Sequence, residues 1–419
     1  MVNLGRGVPI WFFSFFLYSC GQGPKVDSMD FFRIHEIDSH SGTGRAVAIA
    51  DMDGDRLPDV VGVTSDAVAW YKNPSWEKRE VAKNLAGTNI CVAPHDIDGD
   101  GLPELALGAD WNINNTTGGG SLHILYRADD GSNWESHAIV QEPTLHRVGW
   151  LDMNADGAKE LIVLPLKGEG SQPPYFRDPG VRILRFFPPE DPFTGNWPME
   201  VIDDSVCRVA HGMCGVAWDE GGRDHLLVAS LAGVSQFKYK AEEEWEWTQM
   251  CVGNPEPFPQ CGAGEIGVGF YGDDEVMLGT IEPWHGHQAV VYTFKKERDD
   301  PVDRYAMWER HVVDKNLKGG HALEWADFDG DGYDEMLVGF REEAAPKLPP
   351  SLYIYDIEFD RESDPAFKWK KYVVEAGGLA PESVAVGDLN GDNRPDIVAI
   401  GNDTGNLRFY ENLGKPMVE

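Results

Sequence analysis

No run of apolar residues in this 419-residue chain is long enough to cross a bilayer comfortably. The longest, residues 8–19, spans 12 positions, against the roughly 20 that a transmembrane helix needs. Cysteine is scarce too: beyond Cys20 there are only Cys91, Cys207, Cys214, Cys251 and Cys261, with no CxxC pair. Neither a zinc ribbon nor a full disulfide framework is signalled, although a pair between Cys251 and Cys261 stays open. Positive charge is short as well, with 36 Lys and Arg against 70 Asp and Glu and a formal net charge of −34. A surface of that sign repels a phosphate backbone, so nucleic acid is excluded as a partner. Also missing are a nucleophile elbow around Ser or Cys, a phosphate-cradling Gly loop and a dinucleotide fingerprint, which argues against acyl transfer, kinase chemistry and hydride transfer. The acidity does not mean disorder, because 14 Trp and 19 Phe supply the material of a large core.

The N-terminus carries one cation, Arg6, then the apolar run, then Leu17-Tyr18-Ser19-Cys20. This has the layout of an export signal and resembles the lipobox of bacterial lipoproteins, with Tyr18 where a small residue is usual. The expectation is a signal peptide over 1–19, Cys20 as the lipidated first residue and a tether over 20–30. The chain would then be an outer-membrane or periplasmic lipoprotein of a bacterium, held to the membrane by its lipid; simple secretion is the alternative.

Two short patterns recur along the rest. Trp followed five residues later by Val or Ile occurs at Trp76/Val81, Trp134/Ile139, Trp197/Ile202, Trp247/Val252, Trp308/Val313 and Trp369/Val374, with Phe32/Ile37 as a seventh copy. The second pattern places acids at positions 1, 3, 5 and 9 ahead of an apolar run, at 51–59, 96–104, 152–160, 327–335 and 388–396. Worn copies at 217–225 and 271–275 complete the set. Between them lie alternating or β-branched runs such as 122–126, 181–186, 289–293 and 352–355, bounded by Gly and Pro, which are strands at roughly four per repeat. Units of about 57 residues, each with an acidic loop between its first two strands and Trp on its fourth, predict an all-β, seven-bladed β-propeller with four-stranded blades. Residues 31–38 have the fourth-strand pattern before any first strand, while the last unit ends near Asn412 after three strands. The N-terminal strand is therefore expected to close the last blade of one domain spanning 31–419.

The acidic loops suit a hard cation, because carboxylates at alternate positions of a tight Gly-containing turn can wrap several oxygens around one ion. Calcium fits such a set better than magnesium. The expected ligands are Asp51, Asp53, Asp55 and Asp59; Asp96, Asp98, Asp100 and Glu104; Asp152, Asn154, Asp156 and Glu160; Asp327, Asp329, Asp331 and Glu335; and Asp388, Asn390, Asp392 and Asp396. These loops and their flanking strands resemble the FG-GAP/VCBS repeat propellers and are similar to the head of integrin α-chains, over about residues 31–412. The resemblance implies the fold and calcium loops, and leaves function to the site.

Counting six residues back from each acidic loop reaches the start of each blade's innermost strand: Arg45, Ile90, His146, His211, Glu265, His321 and Glu382. Innermost strands surround the central channel, so these positions form a ring at one mouth. The loops expected around that mouth carry Trp111, Lys167, the segment Glu282-Pro-Trp284-His285-Gly-His287, and Arg341, with 112–120 and 168–180 as walls. Aromatic faces beside converging polar groups suit a sugar, so Arg45, Trp111, Lys167, Trp284, His285 and Arg341 are candidate substrate contacts. His35, His137, His225 and His311 fall outside this ring.

Imidazoles and carboxylates gathered at one mouth suit Zn2+, or manganese or iron, as a second metal. They also supply acid and base groups for β-elimination beside a carbonyl, in which a base takes an α-proton, a cation steadies the enolate and an acid protonates the departing oxygen. A narrower resemblance agrees: EPTLHRVGW (142–150), PLKG and GVRIL (within 165–184), TIEPWHGHQ (280–288) and GGHALEWAD (319–327) are similar to the propeller domain of the aldos-2-ulose dehydratase family. It implies His146, His211, Trp284, His285 and His321 as site residues and dehydration of a keto-sugar as the reaction; the cupin domains of that family are outside the likeness. The expectation is a carbohydrate-active lyase or dehydratase, with His146, His211 and His321 on a metal or sharing proton transfer and Glu382 or Glu265 accepting the proton. The alternatives are a non-catalytic carbohydrate- or protein-binding propeller, and a lyase of uronates with Arg45, Lys167 and Arg341 neutralising carboxylates.

Overall fold

In a sequence whose second strands read DVVGVT, ELALGA, ELIVLP, HLLVAS, EMLVGF and DIVAIG, every residue of those six strands is buried. Strands that are apolar throughout, with no alternation, must be covered on both faces. A ring of blades does this, each sheet lying between its two neighbours. The computed structural model describes residues 27–28, 31–128, 133–218, 221–241, 244–271, 275–294, 308–344, 348–359 and 367–414. The expected signal peptide, Cys20 and most of the tether lie outside the described residues.

The chain forms seven antiparallel sheets of four strands in sequence order, with no helix among the described residues. No helix there is long and apolar enough to cross a membrane. The innermost strands are Gly44–Ala50, Cys91–His95, Leu145–Leu151, Gly212–Val216, Glu265–Tyr271, Gly320–Ala326 and Pro381–Gly387. The last blade is closed by Phe32–Asp38, which pairs antiparallel with Leu407–Asn412, so the two ends of the propeller seal the ring. A short strand, Asp27–Ser28, adds to blade 6 in parallel with Tyr372 and Val373.

Blade-to-blade contacts are apolar. Leu337, Leu352 and Ile354 of blade 6, for example, pack with Val384, Ile397 and Tyr410 of blade 7. The fourth-strand tryptophans serve this packing with one exception. Trp197 is buried and Trp76 packs on Phe409, but in blade 4 Trp245 turns inward against Tyr239 and Trp247 is 43% exposed. Cys251 and Cys261 are both free thiols, so that open pairing is not made.

Candidate functional site

Four of the seven ring positions coincide with a break in strand pairing. The register between first and second strands skips Arg45, His146, His321 and Glu382: Gly44 pairs with Thr64 and Ala46 with Val63, and the same slip occurs around the other three. A bulge leaves its extra residue unpaired and re-aims its side chain, a device common beside active sites. His211 precedes its strand and donates its backbone N–H to Ala229, and Glu265 opens a regularly paired strand.

At this mouth His211, His285 and His321 bring one ring nitrogen each within 4.8 Å of the others. Their ring centroids lie 4.6 to 4.9 Å apart, and Nε2 of His285 is 2.9 Å from Nε2 of His211. Nδ1 of His211 faces Glu265 Oε1 at 2.7 Å and the Gly264 carbonyl at 3.2 Å. Nδ1 of His321 lies 2.5 Å from the Glu382 carbonyl. With Nδ1 donating to an oxygen, Nε2 carries the lone pair, which is how metal-binding imidazoles are usually oriented. His146, expected in this group, instead lies tilted against His211 with ring centroids 4.5 Å apart and has Arg147 Nη1 3.0 Å from its Nδ1. His285 takes its place because the turn after Glu275–Glu282 holds it in the left-handed region at φ 48°, an uncommon backbone for a non-glycine residue. Gly212 is needed beside the trio, since a Cβ there would come 2.6 Å from Glu265 Oε2.

Burial, reinforced by the charges of neighbouring imidazoles and of Arg147 or Arg341, pushes the pKa of His146, His211, His285 and His321 downward. All four are therefore neutral at neutral pH, the form that binds metals. Three neutral imidazoles with a carboxylate behind one of them suit zinc, manganese or iron. The two acids stand on opposite sides. Glu265 accepts from Arg147 Nη2 at 3.1 Å, and Glu382, almost fully buried, is gripped by Arg341 with Arg45 at 3.8 Å.

Of the expected sugar contacts, Trp284 lies against His211 and His285 with ring centroids at 6.0 and 4.8 Å. Trp111 lies 6.0 Å from His146 and 5.9 Å from the Arg45 guanidinium. The indole N–H of each is buried without an acceptor. Lys167 belongs elsewhere. It is buried beneath the rim, donating to the Ile113 carbonyl at 2.6 Å with its ammonium 3.5 Å from the Phe176 ring centre, and burial lowers its pKa to about 8. Its ammonium holds loops 112–120 and 168–180 together. Glu282 is likewise structural, held by Arg310, Tyr292 and Thr280, and His287 is exposed.

Two residues here escaped the sequence reading. Arg147, next to His146, ties that imidazole to Glu265. Glu324 stands further down, in a central cavity of about 390 Å³ that it shares with Arg45, Arg147, Glu265, His321 and Glu382. Water reaches its carboxyl, yet protein surrounds it, and this enclosure together with the Glu265 charge raises its pKa to about 7.

On the opposite face the acidic loops divide. Oxygens gather within 4.8 Å in Asp327, Asp329, Asp331 and Glu335, in Asp51, Asp53 and Asp59, and in Asp96, Asp98 and Glu104. Burial and the neighbouring acids push Glu335 up to about 9 and Glu104 up to about 7. Loop 152–160 is not among these groups: Glu160 Oε1 takes Arg185 Nη2 at 2.5 Å, and Asn154 bonds Asp156 at 2.8 Å. Loop 388–396 is not either; there Arg394 bonds Asp392, and both Asp396 oxygens accept backbone N–H groups, from Leu389 and Asn412. In blade 1, Lys72 sits on Asp53 and on Asp55, at 2.8 Å from the latter.

The chain is thus a seven-bladed propeller built from FG-GAP-type repeats: residues 51–107 match the FG-GAP-like repeat model and residues 380–415 the FG-GAP repeat model. Residues 119–296, which carry His146, His211, Glu265, Trp284 and His285, match the family model described as aldos-2-ulose dehydratase, beta-propeller domain. A curated relative, the aldos-2-ulose dehydratase of Phanerodontia chrysosporium, is 28% identical over 262 residues, 59% of this chain. The matched stretch spans 28% of that protein's length. Among solved structures, two of BBS1N in complex with ARL6DN, soaked with mercury and with lead, superpose with a TM-score of 0.50 at 12% identity, covering 93% and 94% of this chain and 98% and 99% of theirs. That likeness concerns the fold alone.

Proposed function

We propose that the mouth is the active site of a carbohydrate dehydratase that eliminates water from a keto-sugar. The observation carrying this reading is the convergence of His211 and His285, with Glu265 behind His211, all inside the stretch that matches the dehydratase propeller, on His321 from the following blade. His211, His285 and His321 would hold a divalent transition metal, which when bound would supply Lewis acidity to the sugar carbonyl and so raise the acidity of the neighbouring C–H. Arg147 and Arg341 add the positive charge that a developing enolate oxygen calls for. Glu265, whose Oε1 is held by Arg147, takes the α-proton through its other oxygen and returns it to the departing hydroxyl. The C–H and C–O bonds break, a C=C bond forms, and water leaves. Glu382, gripped by Arg341, orients His321 through its carbonyl rather than moving a proton. Trp284 and Trp111 offer faces for the sugar ring and N–H groups that a sugar oxygen would satisfy, each N–H otherwise costing about 1–3 kcal/mol to leave unpaired. Calcium in the acidic loops, and export on a lipid at Cys20, belong to the same proposal.

The test is incubation of the purified chain with 2-keto-glucose and 1,5-anhydrofructose, following the ultraviolet absorbance of an unsaturated product. Turnover that vanishes in Glu265→Gln supports the reading. Saturable sugar binding with no new absorbance would make the protein a binding module instead.

A further inference from the structure

The rim of the mouth is uneven. On blades 2 and 3 the connections between second and third strands are long, residues 110–120 and 166–182. They are locked together by Thr116 and Ser171, by Gly170 and Thr116, and by Lys167 beneath. Tyr175 meets Phe258 of the next long connector edge to face at 4.9 Å. On blades 1 and 7 the same connections shrink to residues 65–66 and 402–406. These connections are thus long over blades 2 and 3 and short over blades 7 and 1; those of blades 4 and 5, residues 231–232 and 283–287, are short as well.

Beside the short connection of blade 7 lies a second cavity, of about 360 Å³, lined by Arg45, Arg341, Glu342, Asn402 and Asp403. This is within the usual range for small-ligand sites, about 300–1,000 Å³. It borders the central cavity at Arg45, which lines both, lies over Trp111 and faces Glu382. Its chemistry is of mixed sign. Both guanidiniums face Glu382, Lys318 pairs with Glu342 at 3.3 Å and Asp403 adds a further negative charge, so no excess positive charge is left to favour a phosphate or carboxylate. Asn402 and Asp403 have no side-chain partner among the described residues. An amide, carboxylates and guanidiniums together match groups that both donate and accept hydrogen bonds, which is the chemistry of a polyol.

We propose that this notch is a second sugar subsite, and that the substrate is a keto-glycoside of at least two units. The reacting ring lies at the trio and its neighbour lies over Arg45, Asn402 and Asp403. This rests on the sugar reading above and adds the size of the substrate. The experiment is calorimetric titration of the full chain with 2-keto-glucose and with the 2-keto derivatives of glucose disaccharides of each linkage, repeated on Asn402→Ala and Asp403→Ala. One disaccharide is expected to bind about tenfold or more tighter than the monosaccharide, as two or three added hydrogen bonds allow. Both variants should lose that gain, with an unchanged Kd for the monosaccharide and an unchanged melting temperature. Monosaccharide binding with no gain from any disaccharide, or a gain that survives both variants, overturns the subsite while the sugar reading stands. Silence from every sugar overturns both.

Discussion

The two faces of the propeller both concentrate ionisable groups, yet they are assembled in different ways. Each acidic loop draws its carboxylates from nine consecutive residues, as in 327–335, whereas the histidine mouth draws one residue from each of several blades, with His211 and His321 110 positions apart. A local cluster can be altered blade by blade at little cost to the rest. The acidic face shows this: Arg185 stands at the blade 3 loop and Lys72 at the blade 1 loop, while in the blade 6 loop four acids gather, with Glu335 pushed up to about 9. The mouth has no such freedom, because His211 and His321 are each oriented by an oxygen from another segment and His285 faces His211.

The largest expected effect is at the mouth. His211→Ala should lower elimination at least about a thousandfold, the scale expected when metal binding and base positioning are lost together, while the melting temperature changes little; residual turnover within tenfold of the parent would break the contrast. His146→Ala separates the adjoining imidazole from the trio. Elemental analysis should find the mouth metal retained in that variant and lost in His285→Ala.

On the acidic face, Arg185→Met should destabilise the chain by about 3–5 kcal/mol, because it leaves Glu160 as an uncompensated buried charge. Denaturant unfolding reads this directly, and an unchanged midpoint would show that Arg185 does not do the work of a cation there. Native mass spectrometry sharpens the same point: Glu335→Gln is expected to lose one calcium ion and Asp156→Asn none.

The smallest expected effect belongs to the channel. Glu324 keeps its proton to about pH 7 in the folded chain, while the unfolded carboxyl, with its ordinary value of 4.5, has lost it. The folded state binds more protons between these values, so stability should fall as pH rises from about 4.5 to about 7. Glu324→Gln should flatten the melting temperature over that window, and an unaltered slope would remove Glu324 from the account.

Much of the acidic face was legible because its ligand types, spacing and glycines all lie in one stretch of sequence. The ring was legible only through the regularity of the repeat: counting back six residues reached His146, His211, Glu265, His321 and Glu382 because every blade begins its inner strand at the same offset. That count is silent about the bulges that turn Arg45, His146, His321 and Glu382 toward the axis. It is equally silent about which imidazoles converge. His285 lies on a loop outside the count, and Arg147 is one residue out of phase with it. Lys167 failed as a sugar contact for a related reason, since two loops from neighbouring blades close over it and take its ammonium.

The sequence by itself determined the number of blades, the strand that closes them and the face on which the acids lie, because these follow from the period of the repeat and the solvation of each residue type. Only the tertiary structure decided that His285 and not His146 joins His211 and His321, that Arg185 stands where a metal was expected, and that the rim is low over blades 7 and 1. Each of these depends on distances between segments far apart in the chain, which packing and loop geometry set and which no local pattern records.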